Sequence, residues 1–268
     1  MRAANSNESQ ITASWKGSER YDLQVPAMNG PFPGPEALSD LRSIQTSFQN
    51  AEGHAPKWMA IHLERRPDCG SGLHFLAQCI EAGDRSALYD HANNFLDSIC
   101  DNLTGQGADI LTIAVIDGHA DGASFSLALS CDFIVARRGS TCSLPNLHAG
   151  LPLSVGTEQM LQRHAGAEEA LRFINDHKTM PVERLSDAGI ITLLFEGNDD
   201  PVDALLSRPG MNHSSLNSAK KAMRKACPLE NLRDGIGDWV EDAMTINPSK
   251  VRKLREGHLA RALSTLHG

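Results

Sequence analysis

The run Ile110-Leu-Thr-Ile-Ala-Val-Ile116 constrains this chain more than any other stretch. It is rich in β-branched side chains and apolar apart from one threonine, so neither of its faces can be left to water. Such a strand suits the middle of a parallel sheet, and parallel neighbours must be joined by crossovers, usually helices. The residues that follow fit this scheme: a turn at Asp117-Gly-His-Ala-Asp-Gly122, a short helix over Ala123 to Leu129, and a further strand over Asp132 to Ala136. An α/β architecture follows. A glycine turn that opens a helix also leaves backbone N–H groups facing whatever lies in front of it. Yet the side chains after this turn, Ala123, Ser124, Phe125 and Ser126, include none that titrates near neutral pH.

The same pattern recurs along the chain. Trp58-Met-Ala-Ile-His-Leu63 has the length and apolarity of a buried strand, and Arg66 to Gly72 forms a turn before a helix starting near Leu73. From Asp84 onward, Leu88, Ala92, Phe95, Leu96 and Ile99 make one apolar stripe on an amphipathic helix that Gly105 to Gly107 stops. Helices are predicted around Ser154 to Arg163, Ala167 to Asn175 and Pro181 to Ala188, with a strand at Ile190 to Phe195. After Asp200 only helices are expected. Leu229, Leu232, Ile236, Trp239, Val240 and Met244 keep helical spacing, and a basic helix runs from Pro248 to about Leu263. The polar start, residues 1–13, is expected to be disordered, and the Pro- and Gly-rich stretch Pro26 to Pro35 to precede the first well-ordered helix, opened by Pro35. The resulting division is a disordered N-terminus over 1–13, an α/β core over 14–199 and a helical region over 200–268 that packs on its own core or on a neighbouring subunit.

Composition narrows the function classes. At 268 residues with 41% hydrophobic content the chain can fill a large core unaided, and its net charge of −8 argues against a nucleic-acid groove. The short basic run Lys220 to Lys225 is expected to be a solvated helix face rather than a membrane anchor. Cys69, Cys79, Cys100, Cys131, Cys142 and Cys227 form no Cys-x-x-Cys pair and are expected to be buried reduced thiols. The N-terminus lacks the apolar core of a signal peptide, and no run of about 18 apolar residues occurs, so a soluble, cytoplasmic protein is expected. No His, Cys and carboxylate cluster has metal-ligand spacing, so neither a metal nor a resident cofactor is expected.

Two strand, glycine-turn, helix units, the phrase Asp117-Gly-His-Ala-Asp-Gly-Ala-Ser124, the following Leu127-Ala-Leu-Ser-Cys-Asp132 and Leu144-Pro-Asn-Leu147 together resemble the crotonase, or enoyl-CoA hydratase/isomerase, superfamily over Trp58 to Phe195. Within it, Leu76 to Leu88, Pro228 to Leu232 and Trp239 to Met244 are similar to the branch that makes diffusible signal factors, cis-2-unsaturated fatty acids, from acyl-carrier-protein thioesters. The resemblance implies the ClpP/crotonase-like fold of stacked βαβ units with a C-terminal helical block, assembled as a homotrimer or a dimer of trimers. It implies an acyl-CoA or acyl-carrier-protein thioester as ligand. The thioester carbonyl would be gripped by an oxyanion hole of two main-chain amides, which motif matching assigns to Ser71 and Ala123, the latter where the family usually has glycine. The two glutamates that hold and ionise water in the family's hydratases are matched here by Ser126 and Asn146.

A serine hydroxyl is a poor base unaided and an amide does not titrate, so ordinary hydratase activity is not expected. Two alternatives stay open: a non-catalytic regulatory or partner subunit of an active paralogue, and an altered catalyst such as a thioesterase. The latter would use the oxyanion hole with His119 or His148 as base. Glu158 is expected to complement a helix dipole, and His62 and His74 to be structural histidines. Gly122-Ala-Ser-Phe-Ser126 lacks the last glycine of a nucleophile elbow, which argues against a serine hydrolase.

Overall fold

Strand β4, Leu111–Ile116, is buried at all six positions and sits inside a six-stranded sheet, as its composition requires. The computed structural model describes residues 11–26, 28, 30–49, 55–63, 71–107, 109–144, 150–176, 179–226 and 232–256. The sheet runs in the order β1 (Thr12–Lys16), β2 (Arg20–Val25), β3 (Trp58–Leu63), β4, β6 (Phe133–Arg137) and β9 (Leu193–Phe195). Only the β1–β2 hairpin is antiparallel; β2, β3, β4, β6 and β9 pair in parallel. A second, three-stranded sheet holds β5 (His119–Asp121), β7 (Thr141–Ser143) and β8 (Met180–Pro181).

Side chains alternate across the main sheet. Met59, Ile61, Leu63, Ala114 and Ile116 enter the larger core, which is closed by α1 (Pro35–Gln49), α2 (Ser71–Ala82), α3 (Arg85–Thr104) and α4 (Gly122–Leu129). Trp58, Ala60, Leu111, Ile113 and Val115 face the other way, where α8 (Pro201–Leu206) covers them with Val202 and Leu205. Both faces are therefore buried, as a near-continuous apolar strand demands. Between α4 and α8 the chain forms α5 (Thr157–Ala165), α6 (Ala167–Asp176) and α7 (Val182–Asp187). After α8 come α9 (His213–Ala226), α10 (Ile236–Met244) and a last helical stretch over 248–256.

Three expectations change. Order begins well before Pro35: Thr12 and Ala13, assigned to a disordered N-terminus, open β1, and residues 1–10 lie outside the described residues. The turn Gly17 to Glu19 joins two short strands that the Pro- and Gly-rich stretch behind them had overshadowed. Second, Lys220 is no part of a solvated face. It is 6% exposed, and its ammonium reaches the Asp132 carboxylate and the carbonyl oxygens of Asn102 and Ile110, the latter two at 3.3 Å. It ties α9 to the sheet. Third, the strand expected from Ile190 begins only at Leu193, because Ile190 and Ile191 are spent in the larger core. Among the described residues Cys79, Cys131 and Cys142 are buried free thiols, and burial pushes the Cys79 thiol up to about 11.

Candidate active site

Helix α4 is the anchor of the site. Its first residue, Gly122, has φ of +49°, and a Cβ placed there would lie 2.2 Å from the carbonyl oxygen of Gly30, so glycine is required both by conformation and by space. The Ala123 amide donates to the Gly30 carbonyl at 2.9 Å, and the Ser124 amide donates to the Met28 carbonyl at 3.2 Å. In return the Met28 amide donates to Ser124 Oγ at 2.6 Å. The oxygen in front of the Ala123 donor in this structure is the chain's own.

The other turn lies close by. Ser71 opens α2, and its neighbour Gly72 carries no Cβ because one would come within 2.2 Å of the Phe32 carbonyl oxygen. Ser71 also borders a recess of about 180 Å³ together with Glu36, His74 and Phe75. Ala123 and Ser126 are fully buried and line neither this recess nor the groove of about 410 Å³ along α1 and α3.

Ser126 has a defined and closed environment. Its Oγ lies 2.6 Å from Thr157 Oγ1 and 3.1 Å from the Gly122 carbonyl oxygen, while Thr157 Oγ1 donates to the Ser154 carbonyl at 2.7 Å. The Thr157 proton is therefore committed, and Ser126 donates its own proton to one of its two acceptors. Nothing in this chain of hydroxyls can take a proton at neutral pH. Asn146 and His148 lie outside the described residues. Glu158 stands in the first turn of α5, where a carboxylate complements the helix dipole, and desolvation by the surrounding chain raises its pKa.

His119 belongs to a group that sequence reading saw only in part. The parallel register of β5 and β7 sets His119 beside Thr141 and Asp121 beside Ser143. His119 Nδ1 lies 2.7 Å from Thr141 Oγ1, and its Nε2 lies 3.4 Å from Asp121 Oδ2 and 3.5 Å from Ser143 Oγ. The imidazole is 47% exposed while the carboxylate is 7% exposed, and Asp121 Oδ1 is buried without a hydrogen-bond partner. Thr141 and Ser143 were missed because the strand that holds them is three residues long. Their i, i+2 spacing is the signal that places both hydroxyls on one face.

Four other described histidines have fixed contacts. His62 Nε2 meets Asp22 Oδ2 at 3.2 Å, and His74 Nδ1 meets Arg255 Nη1 at 3.2 Å. His91 donates to the Pro33 carbonyl at 2.9 Å and His164 to the Leu129 carbonyl at 2.7 Å; burial lowers the pKa of both, so each is held neutral. Among the described residues no group of three or more His, Cys, Asp or Glu side chains is placed to hold a metal ion, and no helix is long and apolar enough to cross a membrane.

A parallel sheet, with α2 and α4 each opening beside a closely packed glycine, Gly72 and Gly122, is the arrangement here, and solved structures share the fold. An enoyl-CoA hydratase from Bacillus halodurans matches with a TM-score of 0.72 at 17% identity, covering 93% of this chain and all of that one. Pseudomonas aeruginosa DspI matches with a TM-score of 0.66 at 19% identity, covering 84% of each chain. The profile of the enoyl-CoA hydratase/isomerase family matches residues 85–236, more than half of the chain, and the protein belongs to that family. Among curated relatives, the 2,3-dehydroadipyl-CoA hydratase of Escherichia coli K12 is 30% identical over 117 residues, which are 42% of this chain and 46% of that protein. A probable enoyl-CoA hydratase of Mycobacterium tuberculosis is 25% identical over 111 residues, 41% of this chain and 43% of that protein. The match thus spans less than half the length of these relatives.

Proposed function

We propose that this protein binds a fatty acyl thioester, carried on CoA or on an acyl-carrier protein, at the paired turns of Ser71 and Ala123, and that it does not hydrate enoyl-CoA. The observation that carries this reading is Ser126, fully buried and bonded to Thr157 and Gly122 at the position where the family's hydratases use a glutamate. Main-chain donors are retained by glycines the packing demands, whereas proton transfer needs a side chain that is absent. The finer form of the proposal, which rests on the resemblance of Leu76 to Leu88 and Trp239 to Met244, is a carrier-protein thioester of the diffusible-signal-factor branch bound by a trimeric assembly. The test pairs two measurements on the purified protein: titration calorimetry with dodecanoyl-CoA and hydration of crotonyl-CoA. Saturable binding with no hydration is expected. Hydration at rates typical of the family's hydratases would overturn the reading, and so would failure to bind any acyl-CoA or acyl-carrier protein.

The geometry around His119 supports a second reading, thioester hydrolysis. In that reaction the imidazole takes a proton from water, the hydroxide adds to the thioester carbon, the carbon–sulfur bond breaks, and the thiolate leaves with the proton returned by the imidazolium. Asp121 is placed to stabilise the imidazolium. Release of CoA thiol that disappears in His119→Ala would favour this reading over a purely binding role. Release that persists in the variant would remove His119 from it.

A further inference from the structure

Met28 and residues Gly30 to Gly34 do more than lead into α1. They form a strap across the first residues of α4 and α2. At the α4 turn Met28 and Gly30 take the amides of Ser124 and Ala123, and Ser124 Oγ accepts the Met28 amide. At the α2 turn the Phe32 carbonyl lies over Gly72, and Gly34 packs so closely on Ser71 that a Cβ would lie 2.0 Å from its Oγ. The far end is held as well: the Phe32 ring, fully buried, sits 4.8 Å from His91 and 5.5 Å from Trp239 between centroids, and His91 fixes the Pro33 carbonyl.

We infer that this strap is an internal occupant of the oxyanion turn, and that an acyl thioester reaches the Ala123 amide only by displacing the Gly30 carbonyl. An N–H group has one proton, and Gly30 holds it at 2.9 Å in line with a full hydrogen bond. The thioester oxygen must therefore compete with a tethered acceptor, and its apparent affinity falls by the fraction of molecules whose strap is open. Gly30 is also the natural release point, since its φ of +123° is open to glycine and strained for any other residue. This inference rests on the thioester-binding reading above.

The test uses the full chain, dodecanoyl-CoA and two substitutions that loosen the strap from opposite sides. Ser124→Ala removes the acceptor of the Met28 amide, and Gly30→Ala forces a side chain onto the strained φ. Losing one such hydrogen bond should raise the open fraction enough to tighten dodecanoyl-CoA binding by roughly fivefold in Ser124→Ala. Gly30→Ala should bind more tightly than the unmodified protein too. Hydrogen exchange on the unmodified protein gives an independent reading: ligand should speed exchange of the Met28, Gly30, Phe32 and Gly34 amides while slowing it elsewhere around the site. Unchanged or weaker binding by folded Ser124→Ala, or slowed exchange in the strap on ligand addition, overturns the proposal while leaving thioester binding intact. Absence of binding by all three proteins overturns the thioester reading itself, and the strap's role with it.

Discussion

Placing a carboxyl at Ser126 by Ser126→Glu should not create a hydratase, and the packing says what it should do instead. Ser126 Oγ is already at 2.6 Å from Thr157 Oγ1 and 3.1 Å from the Gly122 carbonyl oxygen, in a position with no exposed surface. Glutamate adds three heavy atoms to a filled space, and overpacking of this kind costs about 1–3 kcal/mol. The new carboxylate would meet the Gly122 carbonyl, an acceptor like itself, and a Thr157 proton already given to Ser154. Leaving it without a donor adds roughly 1–3 kcal/mol more. For a chain of 268 residues a loss of about 4 kcal/mol lowers the melting temperature by roughly 10 °C.

The assay pairs a thermal melt of Ser126→Glu with crotonyl-CoA hydration. The variant should melt earlier and stay inactive, because its carboxyl sits at a position closed to solvent and the Gly30 carbonyl still covers the neighbouring donor. A variant that melts with the parent and hydrates crotonyl-CoA about 100-fold faster, the low end of what one acid–base group supplies, would refute the closed-site argument.

Other consequences can be checked alongside. Lys220→Met strands the Asp132 carboxylate with only the Thr112 amide and hydroxyl at 2.7 and 3.0 Å, and should destabilise the fold by about 3–5 kcal/mol, read as a lower urea midpoint. Adding Asp132→Asn to that variant should recover part of the loss. Burial holds the pKa of His91 and His164 below that of a free imidazole, about 6.5, so the unfolded chain binds protons more readily than the folded one; stability should be full above about pH 6.5 and fall as pH drops below it. His164→Gln should flatten that slope in urea titrations carried from about pH 7 downward. Burial pushes the Asp22 carboxyl up, but His62 and Arg20 together outweigh it and hold the pKa below 3.8. The stability this supplies should be present above about pH 4 and vanish at lower pH, a dependence that Asp22→Asn removes.

Sequence carried the central sheet well and the site only in part. A run such as Leu111 to Ile116 admits few burial patterns, and Asp84 with Gly105 bounds α3 through a side-chain cap and a left-handed glycine, φ +67°, both of which are local chemistry. The strands β5, β7 and β8 were illegible because two or three residues show no period, and their pairing is decided by contacts far along the chain. The same holds for the strap. Its prolines and glycines announce a turn-rich segment, but which carbonyl meets which amide depends on β2, α2 and α4 being in place together. Lys220 was misjudged for a related reason: a charge in a basic run looks solvated unless its distant carboxylate is known.

The strap also supplies a physical reason for the state of the site. A buried N–H without an acceptor costs about as much as a lost hydrogen bond or more, and Ala123 has no exposed surface. In a family member whose turn is regularly filled by substrate or water, that donor can be left open. Here Gly30 satisfies it permanently in the resting state, with Gly122 and Gly72 kept as glycines to let the strap lie close. The glycines that the family resemblance marks for a thioester site are thus demanded in any case by the approach of the chain's own backbone. Ser126 answers to internal packing alone, since its hydroxyl serves Thr157 and Gly122 and nothing outside the protein. Packing alone can therefore keep these glycines in the chain, and the strap variants separate packing from ligand binding because only the latter should tighten when Gly30 is freed.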